Sequence, residues 1–307
     1  MFEPWRAEPG LTGPAPAEAR RRAAVLGRPV AHSLSPVLHR AAYAALGLTG
    51  WRYDAVDCDE AGLPGFLRSL DPDWVGLSLT MPLKRAALRL ADEATPLARD
   101  VGAANTLLLG ADRRRADNTD VAGILAALGE LGVRVGPPPA GAGRTAVLLG
   151  AGGTAQAALA ALRALGVAEP TAVVRDPARA GELRATADRL GVRVRVLDWG
   201  HVRLVADADL VISTLPAGAA DPLAALPWSA GSTVLDVVYA PWPTPLAAAA
   251  AAAGCPVAGG LAVLLHQAAA QVELMTGQHA PLAAMRAALP APPGGEPSAA
   301  GSPGPGR

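Results

Sequence analysis

The sequence predicts an α/β protein of two domains, and three observations lead to this prediction. The chain has 307 residues, which is the length expected for two domains of ordinary size. Apolar residues make up 51 % of it, enough for two cores. Short apolar runs of strand character alternate with longer segments of helical character, a pattern typical of βαβ units and parallel sheets.

The predicted elements of the first half follow one another in order. Strands are predicted over 23–26, 51–56 and 75–80, and helices over 36–46, 63–70 and 83–92. A hairpin follows, with Asn105 and Asp120 at its two ends, and an apolar helix over 121–131 comes directly after it. The Pro- and Gly-rich run 136–143 predicts a linker to the second half.

The second half begins with a continuous apolar strand, 145–149, of the kind that is buried on both faces. Further strands are predicted over 171–174, 192–197, 210–213 and 233–237, and helices over 154–165 and 177–190. The two ends of the chain, 1–20 and 290–307, are rich in Pro, Ala and Gly. We expect disordered tails there, because these segments cannot bury enough surface to offset their ordering entropy.

Composition argues against several classes of protein. The 27 basic and 27 acidic residues cancel, whereas nucleic-acid binders carry a basic excess, and nothing suggests a polybasic contact with a membrane. The first residues contain no apolar core of a signal peptide, and the longest apolar run, at 247–253, is too short to span a bilayer. Cys58 and Cys255 have no metal or redox spacing, which fits a cytoplasmic protein without a metal site.

A glycine-rich turn between the strand over 145–149 and the helix over 154–165 predicts a dinucleotide-binding loop. Its glycines permit a tight turn and a close approach of the backbone to a pyrophosphate, while a small final residue allows the helix to pack on the strand. The start of the helix offers free N–H groups to the anion. The residues predicted to bind the cofactor here are Gly150, Ala151, Gly152, Gly153, Thr154 and Ala155.

The end of the next strand carries the residues that select the cofactor. Arg175 and, four residues further, Arg179 favour NADP, because an arginine can pair with the 2′-phosphate. Asp176 opposes this, since its carboxylate would repel the phosphate. NAD is therefore not excluded, and the alternative that these are solvated loop charges stays open.

Polar residues in the first half predict a site for a small anionic ligand. Ser33 and Ser35 are two residues apart, so in an extended segment both hydroxyls face one side, where they could hold a carboxylate; ordinary N-capping by Ser35 is the alternative. Thr80 and Lys84 follow a strand, where ligands of α/β sheets bind, although a lone lysine there is commonly a surface charge. Asp120 closes the run DNTD, for which helix capping by Asn118 or Thr119 is the alternative.

Taken in order, these motifs resemble the shikimate dehydrogenase family from about residue 25 to residue 289. The family's N-x-T-x-P-x-K is similar to Ser78–Lys84, with Ser78 in place of Asn, and its D-N-T-D-x-x-G is met in full by 117–123. The resemblance implies that Ser33 and Ser35 bind the substrate carboxylate and that Lys84 and Asp120 form the catalytic pair. It further implies that the remaining substrate contacts are made by Thr80, Asn105, Tyr239 and Gln267.

The second half carries the resemblance further. The family's N-R-T-x-x-R is similar to 174–179, with both arginines kept but Val174 and Asp176 in place of Asn and Thr. The D-x-x-Y segment at 236–239 implies that Val237 lies near the nicotinamide. Gly260 opens the returning segment and is implied in cofactor binding, and Gln271 follows Gln267 on the same helix face.

The family implies a fold and an activity. The fold is an N-terminal α/β substrate domain (21–125 and 260–289) and a Rossmann-like NADP-binding domain (126–259), with C-terminal helices returning to the first domain. The activity is the NADPH-dependent reduction of 3-dehydroshikimate to shikimate. Quinate or aminoshikimate dehydrogenase, a non-catalytic metabolite sensor of this fold, and another two-domain dehydrogenase are the alternatives. Family members occur as monomers or homodimers, so the oligomeric state stays open.

Overall fold

The computed structural model describes residues 20–111, 113–137 and 143–290. The predicted tails and the centre of the predicted linker lie outside these residues, apart from residues 20 and 290 at the inner ends of the tails. Within them, two six-stranded sheets each carry their own helices. Among the described helices, none combines the length and the apolar composition that crossing a membrane requires.

The first sheet is mixed, with the strand order β2-β1-β3-β5-β6-β4. Its elements are β1 (Arg21–Gly27), α1 (Ser35–Ala45), β2 (Trp51–Asp57), α2 (Leu63–Arg68), β3 (Trp74–Leu79), α3 (Lys84–Leu90), β4 (Glu93–Ala94), α4 (Pro96–Val101), β5 (Thr106–Leu109), β6 (Arg114–Asp117) and α5 (Asp120–Glu130). β1, β2 and β3 are parallel, whereas β5 runs antiparallel to both β3 and β6. β5 and β6 form the hairpin that the sequence predicts between Asn105 and Asp120, because so short a connection permits only antiparallel pairing.

The second sheet is wholly parallel, with the strand order β9-β8-β7-β10-β11-β12. Its elements are β7 (Ala146–Leu149), α6 (Gly153–Ala164), β8 (Thr171–Val174), α7 (Gly181–Leu190), β9 (Arg195–Asp198), β10 (Leu210–Ser213), β11 (Thr233–Asp236), α8 (Pro245–Ala252) and β12 (Val257–Gly259). This is the order of the Rossmann fold, whose topological switch point lies between β7 and β10. Ligands of such sheets bind at the carboxyl ends of the strands beside that point.

The chain then returns to the first sheet through α9 (Gly260–Thr276) and α10 (Leu282–Ala287). Leu265 of α9 and Met285 of α10 are fully buried against Leu38 of α1. The helices at the end of the chain therefore complete the core of the first half.

Two predicted elements of the second half differ in their bounds. The predicted helix over 177–190 is a 3₁₀ turn at Pro177–Arg179 followed by α7, because Asp176 caps the turn through Ala178 N and Ala180 leaves helical geometry. The strand predicted over 192–197 begins only at Arg195. Gly191 ends α7 with a left-handed φ of 65°, and the chain needs three further residues before it pairs with β8 at Thr171.

Candidate active site

A buried ion pair marks the point where the two sheets meet. Lys84 opens α3 and donates from Nζ to Asp120 Oδ2 at 2.5 Å, and the two side chains are only 18 % and 11 % exposed. Lys84 is thus not the surface charge that its segment alone would suggest. A Cβ built on Gly153 would lie 3.8 Å from Lys84 Cδ, so the lysine stem runs beside the start of α6. The carboxyl end of β3 therefore faces that of β7, with the ion pair between them.

Asn105 orients Asp120 from the other side. Its Nδ2 donates to Asp120 Oδ1 at 2.8 Å and to Gln267 Oε1 at 3.2 Å, while its Oδ1 accepts from Thr119 N at 2.8 Å. The backbone N–H is a donor only, so this last contact fixes which end of the amide faces Asp120. Four residues that the sequence singles out, Lys84, Asn105, Asp120 and Gln267, therefore form one cluster.

The run DNTD combines the predicted site with its capping alternative. Asn118 Oδ1 accepts from Asp120 N at 3.1 Å, which supports the start of α5. Thr119 is the N-cap residue, but its side chain does not cap the helix and instead hydrogen-bonds Asn105. The capping alternative thus holds for Asn118 only. Asp120 keeps its carboxylate for Lys84 and Asn105.

Gly123 explains the last position of the D-N-T-D-x-x-G motif. A Cβ there would lie 2.7 Å from Val263 O and 2.9 Å from Gln267 Cβ. The glycine therefore lets α5 and α9 approach closely, and this approach brings Gln267 to Asn105. The motif is visible in the sequence, but only the structure shows that its glycine is needed for the packing of α5 against α9.

The geometry expected for Ser33 and Ser35 is wrong. Leu34 between them is helical, with φ −85° and ψ −2°, so the segment is not extended and its side chains do not alternate. The alternative of N-capping by Ser35 is also wrong, because Ser35 is the first residue of α1 and Leu34 is its N-cap. Ser33 Oγ accepts from Ser35 N at 3.3 Å. Ser35 is 5 % exposed.

Ser78 and Thr80 have different surroundings. Ser78 is buried, accepts from Tyr53 Oη at 2.6 Å and donates to Gln271 Oε1 at 2.7 Å. Its single proton is therefore used within the protein. Thr80 is partly exposed beside Gly27, where a Cβ would lie 2.3 Å from Thr80 Cγ2. The glycine thus allows the ends of β1 and β3 to lie side by side.

The glycine-rich loop has the form of an anion cradle. Gly150 adopts φ +107°, and a Cβ there would lie 2.6 Å from Thr214 Oγ1, so only glycine fits. Gly152 leaves open space on the side where a Cβ would point. Ala155 is fully buried where α6 packs on the sheet, and Ala151 and Thr154 are partly buried between these positions. This arrangement fits the pyrophosphate of a dinucleotide at the start of α6.

Arg175 and Arg179 are exposed beyond the end of β8. Asp176 between them turns its carboxylate toward the backbone and accepts from Ala178 N at 2.9 Å. The Asp176 carboxylate, which would repel a 2′-phosphate, therefore already has a hydrogen-bond partner in its own loop. Both guanidinium groups are accessible to a 2′-phosphate.

Val237 and Gly260 lie against each other. A Cβ on Gly260 would lie 2.0 Å from Val237 O, and Gly260 N donates to Val238 O at 3.1 Å. Only glycine therefore allows α9 to start against the loop that follows β11. Tyr239 is half-buried in this loop, and burial raises its pKa. Within the part of the chain that the structure describes, Tyr239 has no hydrogen bond to the Lys84–Asp120 pair.

His39 and Tyr53, two buried residues behind the cluster, carried no signal in the sequence. His39 stacks on Tyr53 with ring centroids 3.9 Å apart, and its Nε2 lies 3.3 Å from Gln271 Oε1. Burial lowers the pKa of His39 to about 3, so the ring is neutral. Thr106 Oγ1 accepts from Gln271 Nε2 at 2.9 Å and donates to Asn105 Oδ1. His39 in α1 and Tyr53 on a strand with alternating burial have the pattern of ordinary core positions, which is why the sequence did not indicate them.

Comparison with known proteins identifies the family. The sequence model for the shikimate dehydrogenase substrate binding domain matches residues 25–107, and the model for the shikimate 5′-dehydrogenase C-terminal domain matches residues 260–289. Shikimate dehydrogenase (NADP(+)) of Methylobacterium radiotolerans is 40 % identical over 267 residues, which are 84 % of this chain and 92 % of the relative. The chain belongs to the shikimate dehydrogenase family.

Solved structures of shikimate dehydrogenases share the fold. A shikimate 5-dehydrogenase from Mycobacterium fortuitum is 49 % identical, with a TM-score of 0.77 over 88 % of this chain and 98 % of that one. The Thermus thermophilus enzyme, solved in complex with NADP(H) and shikimate, is 36 % identical, with a TM-score of 0.75 over 87 % and 98 %. The predicted fold class, two α/β domains of which the second is Rossmann-like, is confirmed.

Proposed function

We propose that this protein is an NADP-dependent oxidoreductase that interconverts 3-dehydroshikimate and shikimate. The observation that carries the proposal is the Lys84–Asp120 pair, which lies beside the glycine-rich loop at Gly153 and is oriented by Asn105. A proton-carrying group next to a dinucleotide cradle is what the reduction of a ketone to an alcohol requires. The names of the relatives support the same substrate and cofactor.

The residues proposed to hold the cofactor lie at two places in the second sheet. The loop from Gly150 to Ala155 takes the pyrophosphate, and Arg175 and Arg179 pair with the 2′-phosphate. Val237 and Gly260 form the wall toward the nicotinamide. Bound NADPH supplies a hydride.

The proposed substrate contacts surround the ion pair. Ser33 and Ser35 bind the carboxylate, and Asn105, Asp120, Thr80, Gln267 and Tyr239 contact the ring and its hydroxyls. Lys84 donates a proton to the alkoxide that forms when the ketone is reduced, and it accepts this proton in the reverse direction. Asp120 holds the ammonium group in place through the 2.5 Å contact. This pair gives the site a proton carrier whose position is fixed before substrate binds.

The domain division and cellular setting belong to the same proposal. The substrate domain comprises 21–125 and 260–289, and the cofactor domain comprises 126–259. We further propose a cytoplasmic enzyme with small-molecule partners and no nucleic-acid partner, acting as a monomer or homodimer in aromatic amino-acid biosynthesis through chorismate. In the described residues, no group of three or more His, Cys, Asp or Glu side chains is placed to hold a metal ion.

The proposal is tested by following reduced nicotinamide in the near-ultraviolet with shikimate and either NADP⁺ or NAD⁺. We expect reduction with NADP⁺ and a much slower reaction with NAD⁺. Reduction with NAD⁺ alone would mean that Asp176 rather than Arg175 governs the cofactor site. Parallel assays with quinate and aminoshikimate compare the family's other substrates. Folded protein that reduces neither cofactor with any of the three substrates would overturn the proposal.

A further inference from the structure

The last two carbonyl groups of α4 are bound by side chains of α7. A helix leaves its final carbonyl groups without partners of its own. Arg189 Nε donates to Asp100 O at 3.0 Å, and Arg189 Nη2 donates to Val101 O at 3.3 Å. Thr186 Oγ1 also donates to Val101 O, at 2.9 Å. Because α4 lies among the elements of the first sheet and α7 among those of the second, these three bonds join the two halves of the protein.

Both hydrogen-bonding roles of the Thr186 hydroxyl are fixed. A guanidinium group can only donate, so in the 3.0 Å contact between Arg189 Nη2 and Thr186 Oγ1 the threonine oxygen accepts. The single hydroxyl proton is then directed to Val101 O. Thr186 is fully buried, so water does not compete for this bond. Donation from Arg189 polarises the hydroxyl and strengthens the bond that it makes to α4.

Three residues separate this contact from Asn105. Gly102 ends α4 with a left-handed φ of 78°, and a Cβ at this position would overlap Arg189 Nη2, so the guanidinium group lies directly against the turn. Ala104 N, next to Asn105, donates to Lys84 O at 2.9 Å. The connecting segment is therefore held by α7 at one end and by the backbone of the catalytic lysine at the other.

The middle of the segment is also held in place. Ala103 and Ala104 are fully buried, and Asn118 Nδ2 donates to Ala103 O at 2.8 Å. A segment that is short, buried and hydrogen-bonded cannot absorb a movement of the helix before it. A displacement of the end of α4 therefore displaces Asn105.

We propose that Thr186 and Arg189 are positioning residues through which the second half of the protein holds Asn105 against Asp120. The inference rests on the proposed function, because it concerns the turnover of shikimate at the Lys84–Asp120 pair. Asn105 Nδ2 donates to Asp120 Oδ1 at 2.8 Å, and Asp120 in turn holds the Lys84 ammonium group. A displaced amide lowers the fraction of molecules in which this proton carrier is aligned, and so lowers the rate.

Thr276 provides a matched control for the loss of a buried hydroxyl. It is 4 % exposed, and its Oγ1 donates to Val272 O at 2.7 Å near the end of α9. This bond lies within one helix and does not lead to Asn105. Thr186→Val and Thr276→Val each remove a bond from a hydroxyl to a carbonyl and keep the size of the side chain. Both should therefore lower the urea midpoint of unfolding by similar amounts.

Arg85 provides a second control, for the loss of a contact between α7 and the first half of the protein. It pairs with Glu182 of α7 at 2.6 Å, and the two side chains are 48 % and 49 % exposed. Exposed ion pairs contribute little, because water screens them. Arg85→Gln removes this pair and leaves the bonds at the end of α4 intact.

The test is steady-state reduction of NADP⁺ with shikimate. Thr186→Val should lower kcat about fivefold, the factor that corresponds to one net hydrogen bond. The KM for NADP⁺ should change by less than about twofold although Thr186 lies on a helix of the second sheet, because the effect acts on the Lys84–Asp120 pair. Thr186→Ser keeps the hydroxyl and should keep kcat within about twofold of the wild type. Thr276→Val and Arg85→Gln should also stay within about twofold.

Dependence on Asn105 separates positioning from general damage. In an Asn105→Ala background, Thr186→Val should cause no further fall in kcat, because the amide through which it acts is absent. Circular dichroism verifies that each variant folds. If Thr186→Val does not fold, Arg189→Met takes its place in every comparison except that with Thr186→Ser. This exposed position tolerates substitution more readily, and the loss of its bonds to α4 should lower kcat by a similar factor.

Four results would each overturn the inference while leaving the proposed function intact. They are a kcat of Thr186→Val within about twofold of the wild type, an equal loss in Thr186→Ser, an equal loss in either control variant, and a loss that persists in the Asn105→Ala background. Wild-type protein that does not turn over shikimate would overturn the proposed function and the inference with it.

Discussion

Replacing Lys84 by Met tests the proposed proton carrier while preserving most of the packing. Methionine keeps the unbranched stem that runs beside Gly153, and it removes only the ammonium group that pairs with Asp120. The perturbation is therefore confined to the charge and the proton. Arg89→Met, at an exposed position in the last turn of the same helix, provides a control for loss of a positive charge.

The expected loss of rate follows from what the ammonium group does. General acid–base catalysis contributes about 10²- to 10⁴-fold, and each tenfold corresponds to about 1.4 kcal/mol of barrier. Lys84 is 18 % exposed, so water has partial access and can replace some of its function. We therefore expect kcat to fall by about 10²- to 10³-fold, with KM for shikimate changed by less than about threefold.

Stability changes in the same variant and must be separated from the effect on rate. Lys84→Met leaves Asp120 nearly buried without its counter-ion, which costs about 3–5 kcal/mol for a fully buried charge. Residual exposure of 11 % and the bond from Asn105 reduce this cost, so we expect the free energy of unfolding to fall by about 2 kcal/mol. Adding Asp120→Asn removes the unpaired charge and should restore stability without restoring turnover.

The assay is steady-state reduction of NADP⁺ with shikimate, together with urea denaturation of each variant. Turnover of Lys84→Met within about fivefold of the wild type would remove Lys84 from the mechanism. Recovery of turnover together with stability in the double variant would show that the loss came from a distorted fold. Arg89→Met should match the wild type in both measurements.

Three further predictions concern other parts of the chain. Arg175→Ala should raise the KM for NADP⁺ about tenfold and leave that for NAD⁺ unchanged; equal changes for both cofactors would contradict a 2′-phosphate contact. His39 has a pKa of about 3 in the folded protein and about 6.5 in the unfolded chain, so the unfolded chain binds a proton more readily. The free energy of unfolding therefore decreases as pH falls below the unfolded pKa. Between pH 7 and pH 5 the wild type should therefore lose about 2 kcal/mol more than His39→Gln, measured by urea denaturation. Arg189 donates hydrogen bonds to the backbone oxygens of Asp100 and Val101 at the end of α4. Arg189→Ala should therefore lower the free energy of unfolding by about 2 kcal/mol. A decrease of less than about 0.5 kcal/mol would contradict a stabilising role for this contact.

The fold could be predicted from the sequence wherever the residues of an element and the length of its connections determine its structure. Alternating apolar segments indicated the second sheet, because every connection there is long enough for a parallel crossover. The hairpin of β5 and β6 was also predicted, but the antiparallel pairing of β5 with β3 was not, because it joins strands that are separated by a long connection. Local bounds were wrong where a single side chain stops an element, as Asp176 does when it caps a 3₁₀ turn ahead of α7.

The candidate site shows the same division between local and long-range information. Lys84, Asp120 and Asn105 could be chosen from their motifs, since each follows or precedes a strand end. The relation of Ser33 to Ser35 could not, because it depends on one backbone conformation at Leu34. Tyr53 occupies a buried position of β2, and only its contact with Ser78, 25 residues away in the chain, reveals a polar role.

The serine at position 78 bears on how the proposed substrate would be recognised. In the resembling motif an asparagine stands there, with two amide protons that it can share between protein and ligand. Ser78 has one proton, and it is donated to Gln271. A serine side chain is also shorter than an asparagine side chain, so it extends less far from the strand. In the proposed function, recognition of the ring hydroxyls would therefore rest on the Asn105–Asp120 pair and Gln267, whose orientations are fixed by backbone and side-chain partners.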